Sequence, residues 1–316
     1  MSSVTRVPQT AALAPDRVLP GSPWDVARRA GVRPLLTQSF LRFRYGDGFS
    51  HARALALQLA LAVIPLVIAL VGLSATVGSS KAGEVLRRTL LTLSPGASGD
   101  AVRSSLSRPP GGAGGPVALV VGLVAAVLAL STAMGQVERG ANRIYGIRRD
   151  HPGPVKYGRA VVLAVLAGVP ALLGFLVLIA GGALADAVQR VYGSGQDAVQ
   201  VLRWPVGAGL MLLALSGMVA RAPRRQQPSR SWLLVGAVVA LLLWLVFSLL
   251  LATYLGASKA FGTIYGPLTG IMALLLWSQL TALALLFGIA VGAQLEAVRG
   301  GMPGAVAADP ELFSAA

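Results

Sequence analysis

The chain has 316 residues, 55% of them hydrophobic and only 12% charged, with a mean hydropathy of +0.70. Soluble domains carry about 25% charged residues, so too little polar surface is present to clothe a water-soluble globule, and a membrane protein is expected. A net charge of +15 would point to nucleic acid in a soluble chain; here the basic residues fall between apolar runs, and no nucleic-acid partner is expected.

Residues 1–22 are rich in Pro, Ser, Ala and Thr without periodicity and read as a disordered tail. The first fifty residues lack the short apolar core of a cleaved signal peptide, so the first span is expected to be an uncleaved anchor. Between 23 and 51, apolar residues (Trp24, Val26, Leu35, Leu36, Phe40, Leu41, Phe43) mix with Arg28, Arg29, Arg33, Arg42 and Arg44. That mixture predicts an amphipathic cytoplasmic segment on the membrane surface, with arginines toward lipid phosphates. A basic juxtamembrane tail without regular structure is the alternative.

Six apolar runs follow, at about 52–77, 116–137, 159–184, 204–220, 232–255 and 266–296. About 20 residues of helix cross the hydrocarbon core, and these runs are too continuous to be alternating strands of a barrel. The expected fold is therefore all-α: a polytopic membrane protein with six transmembrane helices in residues 52–299 and a disordered C-terminal tail at 300–316. Pro65 lies inside the first run. Gly288 and Gly292 in the sixth have the small-xxx-small spacing that lets helix backbones approach. They read as packing within the chain in preference to a dimer face, and homo-oligomerisation stays open.

Orientation follows from the loops. With the N-terminus cytoplasmic, 19 Lys and Arg fall inside and 8 outside, which favours both termini cytoplasmic. In the first outer loop, Glu84–Leu93 has the pattern of a short amphipathic helix; a plain loop is the alternative reading.

Catalytic chemistry is scarce. No cysteine occurs, which excludes disulfides and a thiolate site. The two histidines, His51 and His151, lack ligand spacing, the twelve acids are scattered, and no GxxxxGK[ST] loop is present. No catalytic residue, metal site or cofactor is expected. Polar side chains within or beside the runs are the remaining candidates: Gln58, Glu138, Asn142, Arg143, Tyr145, Gln279, Gln294 and Glu296. A glutamine in hydrocarbon must find a partner, because an unsatisfied amide costs several kcal/mol; such groups either glue helices or line a polar cavity. Glu138 and Asn142 share a helical face at i, i+4, beside Arg139 and Arg143. This reads as a site for an anionic head group, or as topology signal plus capping. Membrane lipids, and anionic head groups at the cytoplasmic face, are the expected partners. Tyr265-Gly266-Pro267 suits the start of the sixth span on the other side.

Three segments together resemble the YihY/BrkB family of bacterial inner-membrane proteins: Ala54-Leu-Ala-Leu-Gln-Leu-Ala-Leu-Ala-Val-Ile-Pro-Leu66, Asn142-Arg-Ile-Tyr-Gly146, and Tyr265-Gly-Pro-Leu-Thr-Gly270 with Leu276-Trp277 and Gly292-Ala-Gln-Leu-Glu296. Three positions depart from the family pattern. Gln58 stands where a tyrosine is common, Gln279 where an aromatic is common, and Gln294 where a terminal acid is common, with Glu296 two residues later. The resemblance implies six spans in a plasma membrane, both ends cytoplasmic, a link to virulence, and transport of lipid-like or envelope substrates. It also carries an old ribonuclease label, which these residues do not support. The expected function is a transporter or lipid-handling protein without ATPase activity; a membrane scaffold is the alternative, and a hydrolase the last choice.

Overall fold

The computed structural model describes residues 5–8, 21–77, 114–147, 150–151, 153–179, 181–193, 195–225, 229–257, 268–302 and 304–308. Among these the chain is all-helical apart from one two-residue bridge. The helices are α1 (Pro23–Ala30), α2 (Val32–Tyr45), α3 (Gly48–Val77), α4 (Gly114–Ile144), α5 (Gly153–Ile179), α6 (Gly181–Tyr192), α7 (Gln196–Arg221), α8 (Arg230–Ala257) and α9 (Thr269–Arg299). Six of them, α3, α4, α5, α7, α8 and α9, are long and apolar enough to cross a membrane. The Glu84–Leu93 helix and the Tyr265-Gly266-Pro267 start lie outside the described residues.

The basic N-terminal segment is helical. Ser22 caps α1: its hydroxyl accepts from the Asp25 N–H, and the Asp25 carboxylate accepts from the Ser22 N–H at 3.1 Å. Pro23 fills the first turn, where its missing N–H costs nothing. These hydrogen bonds from Ser22 hold the Asp25 carboxyl below its ordinary value. Gly31, at φ +79°, ends α1 and lets α2 begin at once. Val26 and Leu35 are buried with Trp232 and Val235 of α8 and Leu295 of α9. The two helices thus pack on the ends of spans, and their arginines do not all face lipid: Arg42 is completely buried. The buried face of α2 explains the exception, because Leu35, Ser39, Arg42 and Phe43 follow the i, i+4, i+7, i+8 spacing of one helical stripe.

Helix ends follow glycine rather than the end of the apolar runs. The second run stops being apolar at Val137, yet α4 continues through Glu138, Asn142 and Arg143 to Ile144. It stops where Gly146 takes φ +79°. There the Gly146 N–H bonds to the Arg143 carbonyl and the Ile147 N–H to the Asn142 carbonyl, the paired bonds of a Schellman cap. The helix thus runs about two turns beyond the apolar run and carries Glu138 and Asn142 on one face, as their i, i+4 spacing implies. The third run, expected at 159–184, corresponds to α5 and α6, with position 180 between them undescribed.

Cα proximity divides the chain into two compact units, residues Met1–Gln58, Thr132–Leu163 and Leu215–Ala316 in the first, Leu59–Ser131 and Ala164–Ala214 in the second. In the first, α8 and α9 pack through glycine. A Cβ added at Gly288 would lie 2.5 Å from the Gly236 carbonyl oxygen and 2.6 Å from the Ala240 Cβ. A Cβ at Gly292 would meet nothing nearer than 3.7 Å. Gly288 therefore packs inside the chain, and Gly292 leaves room. The described terminal residues also pair, Thr5 with Ala308 and Arg6 with Ala307, antiparallel. The Ala305 N–H donates to Gln38 Oε1 of α2 at 3.0 Å. These stretches of the two terminal segments have backbone partners that their composition does not announce. In the second unit, Gly72 meets the backbone of Leu119 and Gly122 that of Ala69; an added Cβ would lie 2.3 Å and 2.5 Å from their nitrogens. Pro65 lies within α3, which runs on past it to Val77.

Candidate functional site

The candidate site lies in the first unit, where α2, α4, α9 and the residues after α7 bring charged side chains together. Arg42 projects from α2 and is wholly enclosed. Its Nε donates to Gln294 Oε1 at 2.9 Å, and its Nη1 to the carbonyls of Ile144 at 3.3 Å and Pro8 at 3.4 Å. Its Nη2 is buried without a hydrogen-bond partner. All three acceptors are neutral, so the guanidinium is satisfied in part and directly bonded to no carboxylate. Burial lowers its pKa from 12.5 to about 10, against the opposing pull of Tyr145 and Glu296, so it remains a cation at neutral pH.

Beside it, Glu296 of α9 accepts from the Tyr145 hydroxyl at 3.3 Å and forms an ion pair with Arg225. The Arg225 guanidinium stacks over the Tyr145 ring at 4.5 Å. Gly146 matters here because the cap it forms turns the chain directly after Tyr145 and fixes that ring at the end of α4. Burial pushes the Tyr145 hydroxyl well above its ordinary pKa, and the Glu296 charge adds to this, with Arg225 opposing. The phenol is therefore a proton donor at neutral pH. Two guanidinium groups face one carboxylate, so this half of the site has an excess positive charge.

A second half adjoins it through α4. Glu138 accepts from the His151 N–H at 3.3 Å and meets His151 Nδ1 at 2.9 Å. Asn142 is buried with both ends of its amide engaged: Nδ2 donates to Asp150 Oδ1 at 2.9 Å, and Oδ1 accepts from the Arg224 N–H at 2.8 Å. Lys156 pairs with Asp150 at 3.1 Å, and Arg224 Nη1 donates to the Asp150 carbonyl at 2.8 Å. Partial burial would raise the Asp150 carboxyl, but the bonds from Asn142 and Lys156 outweigh it and hold the group below its ordinary value. Glu138 and Asn142 share a face as expected, yet each bonds to the loop after α4 rather than to its neighbour.

Of the residues singled out from sequence, Tyr145, Gln294 and Glu296 meet in the first half of the network, and Glu138 and Asn142 in the second. Arg143 donates to the Ile147 carbonyl at 3.1 Å, across its own helix end. Gln58 and Gln279 stay outside the network. Gln58 Oε1 is enclosed without a partner, and Gln279 is half-buried. Six contributors were missed: Arg42, Asp150, His151, Lys156, Arg224 and Arg225. The stripe of α2 could have exposed Arg42. Arg224 and Arg225 counted only as loop charge, since pairing across 71 residues leaves no local pattern. Among the described residues no group of three His, Asp or Glu is placed to hold a metal ion.

Residues 39–309 match the virulence factor BrkB family. The chain belongs to that family. The span matched includes every side chain of the network, from Arg42 to Glu296. The ribonuclease-like protein YfkH of Bacillus subtilis is 23% identical over 263 residues, 82% of this chain and 94% of that protein. A UPF0761 membrane protein of Rhodospirillum centenum is 32% identical over 167 residues, 52% of this chain and 36% of that protein. A UPF0761 membrane protein of Alteromonas mediterranea is 27% identical over 171 residues, 53% and 56% of the two chains. The chain thus spans nearly all of the first relative but about a third and just over half of the other two. No solved structure matches. Family and fold together make this a multi-pass bacterial membrane protein.

Proposed function

We propose that this family member is a non-enzymatic membrane protein that handles an anionic lipid or another anionic amphiphile of the cell envelope, with Arg42 as the cation that recognises its head group. The observation that carries the reading is Arg42 itself: a protonated, fully enclosed guanidinium whose bonded acceptors are all neutral and whose Nη2 has no partner. A buried charge is tolerated when it is paired. A phosphate oxygen offers the charge-assisted bond that Gln294 cannot. By the loop-charge count the network faces the cytoplasm, where anionic head groups attract basic residues.

The test is movement of fluorescent phosphatidylglycerol between leaflets of liposomes that contain the purified protein. Wild-type protein should accelerate it, and Gln294→Glu should abolish the acceleration by giving Arg42 an internal carboxylate while preserving side-chain size. Unchanged movement with Gln294→Glu, its folding checked by circular dichroism, overturns the role of Arg42. A static scaffold is the second reading, favoured by how fully the rest of the network is bonded within the chain. It predicts no movement above empty liposomes for any variant.

A further inference from the structure

The second unit holds a cavity of about 220 Å³ among Val177 of α5, Gly181 of α6, and Ala198, Leu202, Arg203 and Val206 of α7. It is a groove open to the surface, and its described lining is apolar throughout, Arg203 contributing its aliphatic stem. No hydrogen bond or ion pair joins the Arg203 guanidinium to a described residue, and its Nε is buried. The side chain is nonetheless held in place. Its stem lies on Gly181, where an added Cβ would come within 2.9 Å of the Arg203 Cδ, and its Nη1 lies beside Gly182. On the other side the guanidinium sits 5.2 Å from the centre of the Trp204 ring.

The surface around the cavity is lipid-facing in character. Leu202 and Trp204 are more than half exposed, and Val206 nearly so, on a helix long and apolar enough to span a membrane. Arg203 is six residues into that span, which is about 9 Å of helix from its end. Tryptophan favours that depth, near the level of the head groups. A guanidinium in apolar surroundings is costly unless an anion meets it. An anionic phospholipid carries both a phosphate and an acyl chain on one molecule.

We propose that this cavity binds an anionic phospholipid of the surrounding bilayer, with one acyl chain against Val177, Leu202 and Val206 and the phosphate on Arg203. The site uses none of the residues of the Arg42 network and does not rest on the function proposed above.

The experiment is native mass spectrometry of the full chain in detergent, titrated with phosphatidylglycerol, phosphatidylcholine or inorganic phosphate. Phosphatidylglycerol should bind in preference to phosphatidylcholine, and phosphate alone should not bind. Arg203→Gln should weaken phosphatidylglycerol binding by about tenfold, as expected for one lost charge-assisted bond. Arg203→Lys should keep part of the preference. Ala198→Phe, at an exposed position and so without core strain, should block both lipids by filling the cavity. Equal phosphatidylglycerol binding by wild type and Arg203→Gln, or undiminished binding by Ala198→Phe, overturns the proposal. Binding of phosphate alone would overturn the acyl-chain half of it.

Discussion

In the first unit the described residues that are both buried and polar include Arg42, Glu138, Asn142, Gln294 and Glu296; in the second they are Ser74 and Ser131. The serine in α4 satisfies itself locally, Ser131 donating to the Val127 carbonyl at 2.6 Å. Helices of the second unit meet backbone to backbone at Gly72, Gly122, Gly174 and Gly207, a contact that the first unit also uses, between Gly236 and Gly288, but there beside its buried charges. The two solutions carry different information. Close glycine contact gains dispersion energy and is indifferent to charge and pH. A buried ionic network contributes little net stability over an apolar replacement, but losing one member leaves a charge stranded. Such networks persist where position or ligand matters more than stability.

That contrast can be broken most sharply at Glu296. Glu296→Ala removes the carboxylate paired with Arg225 and the acceptor of Tyr145, so it should cost about 3–5 kcal/mol, seen as a lower thermal midpoint in detergent; an unchanged midpoint would mean that the ion pair holds nothing. Gly72→Ala tests the other chemistry. Its new Cβ has no space beside Leu119, and the strain should cost about 1–3 kcal/mol, independent of pH between 4 and 8. Asp150 supplies the pH arm. Its folded pKa lies below the ordinary 3.8, so the unfolded chain takes up protons first. Its contribution is then fully present above about that value and is lost as pH falls through the folded pKa. The thermal midpoint should drop in that acid range, and Asp150→Asn should flatten the drop. The smallest effect belongs to Gly292→Ala, where 3.7 Å is ordinary contact: a change within about 0.5 kcal/mol, against a clear loss for Gly288→Ala four residues away.

The spans were legible because hydropathy over 20 or more residues is a one-dimensional signal. Their ends were not, since Gly146 and Gly301 stop helices by left-handed caps that ignore where the apolar run stops. Tyr145, Gln294 and Glu296 stood out because polar groups at span ends are few. Arg42 did not, because five arginines in one segment look alike until the helical stripe of α2 is laid out. Arg224 and Arg225 were hidden for a different reason: their partners lie on other helices, and only the folded chain brings them near.

The bond from Arg42 to Gln294 joins residues 252 positions apart, and its order of appearance during synthesis matters. Arg42 emerges early, Tyr145 midway and Arg225 later, while both acceptors on α9 arrive with the last described span. Until then the Arg42 Nε, the Tyr145 hydroxyl and the Arg225 guanidinium lack the α9 acceptors that they have in the folded chain. The cationic centre is therefore the last part of this network that synthesis can complete, because α9 supplies both of its side-chain acceptors.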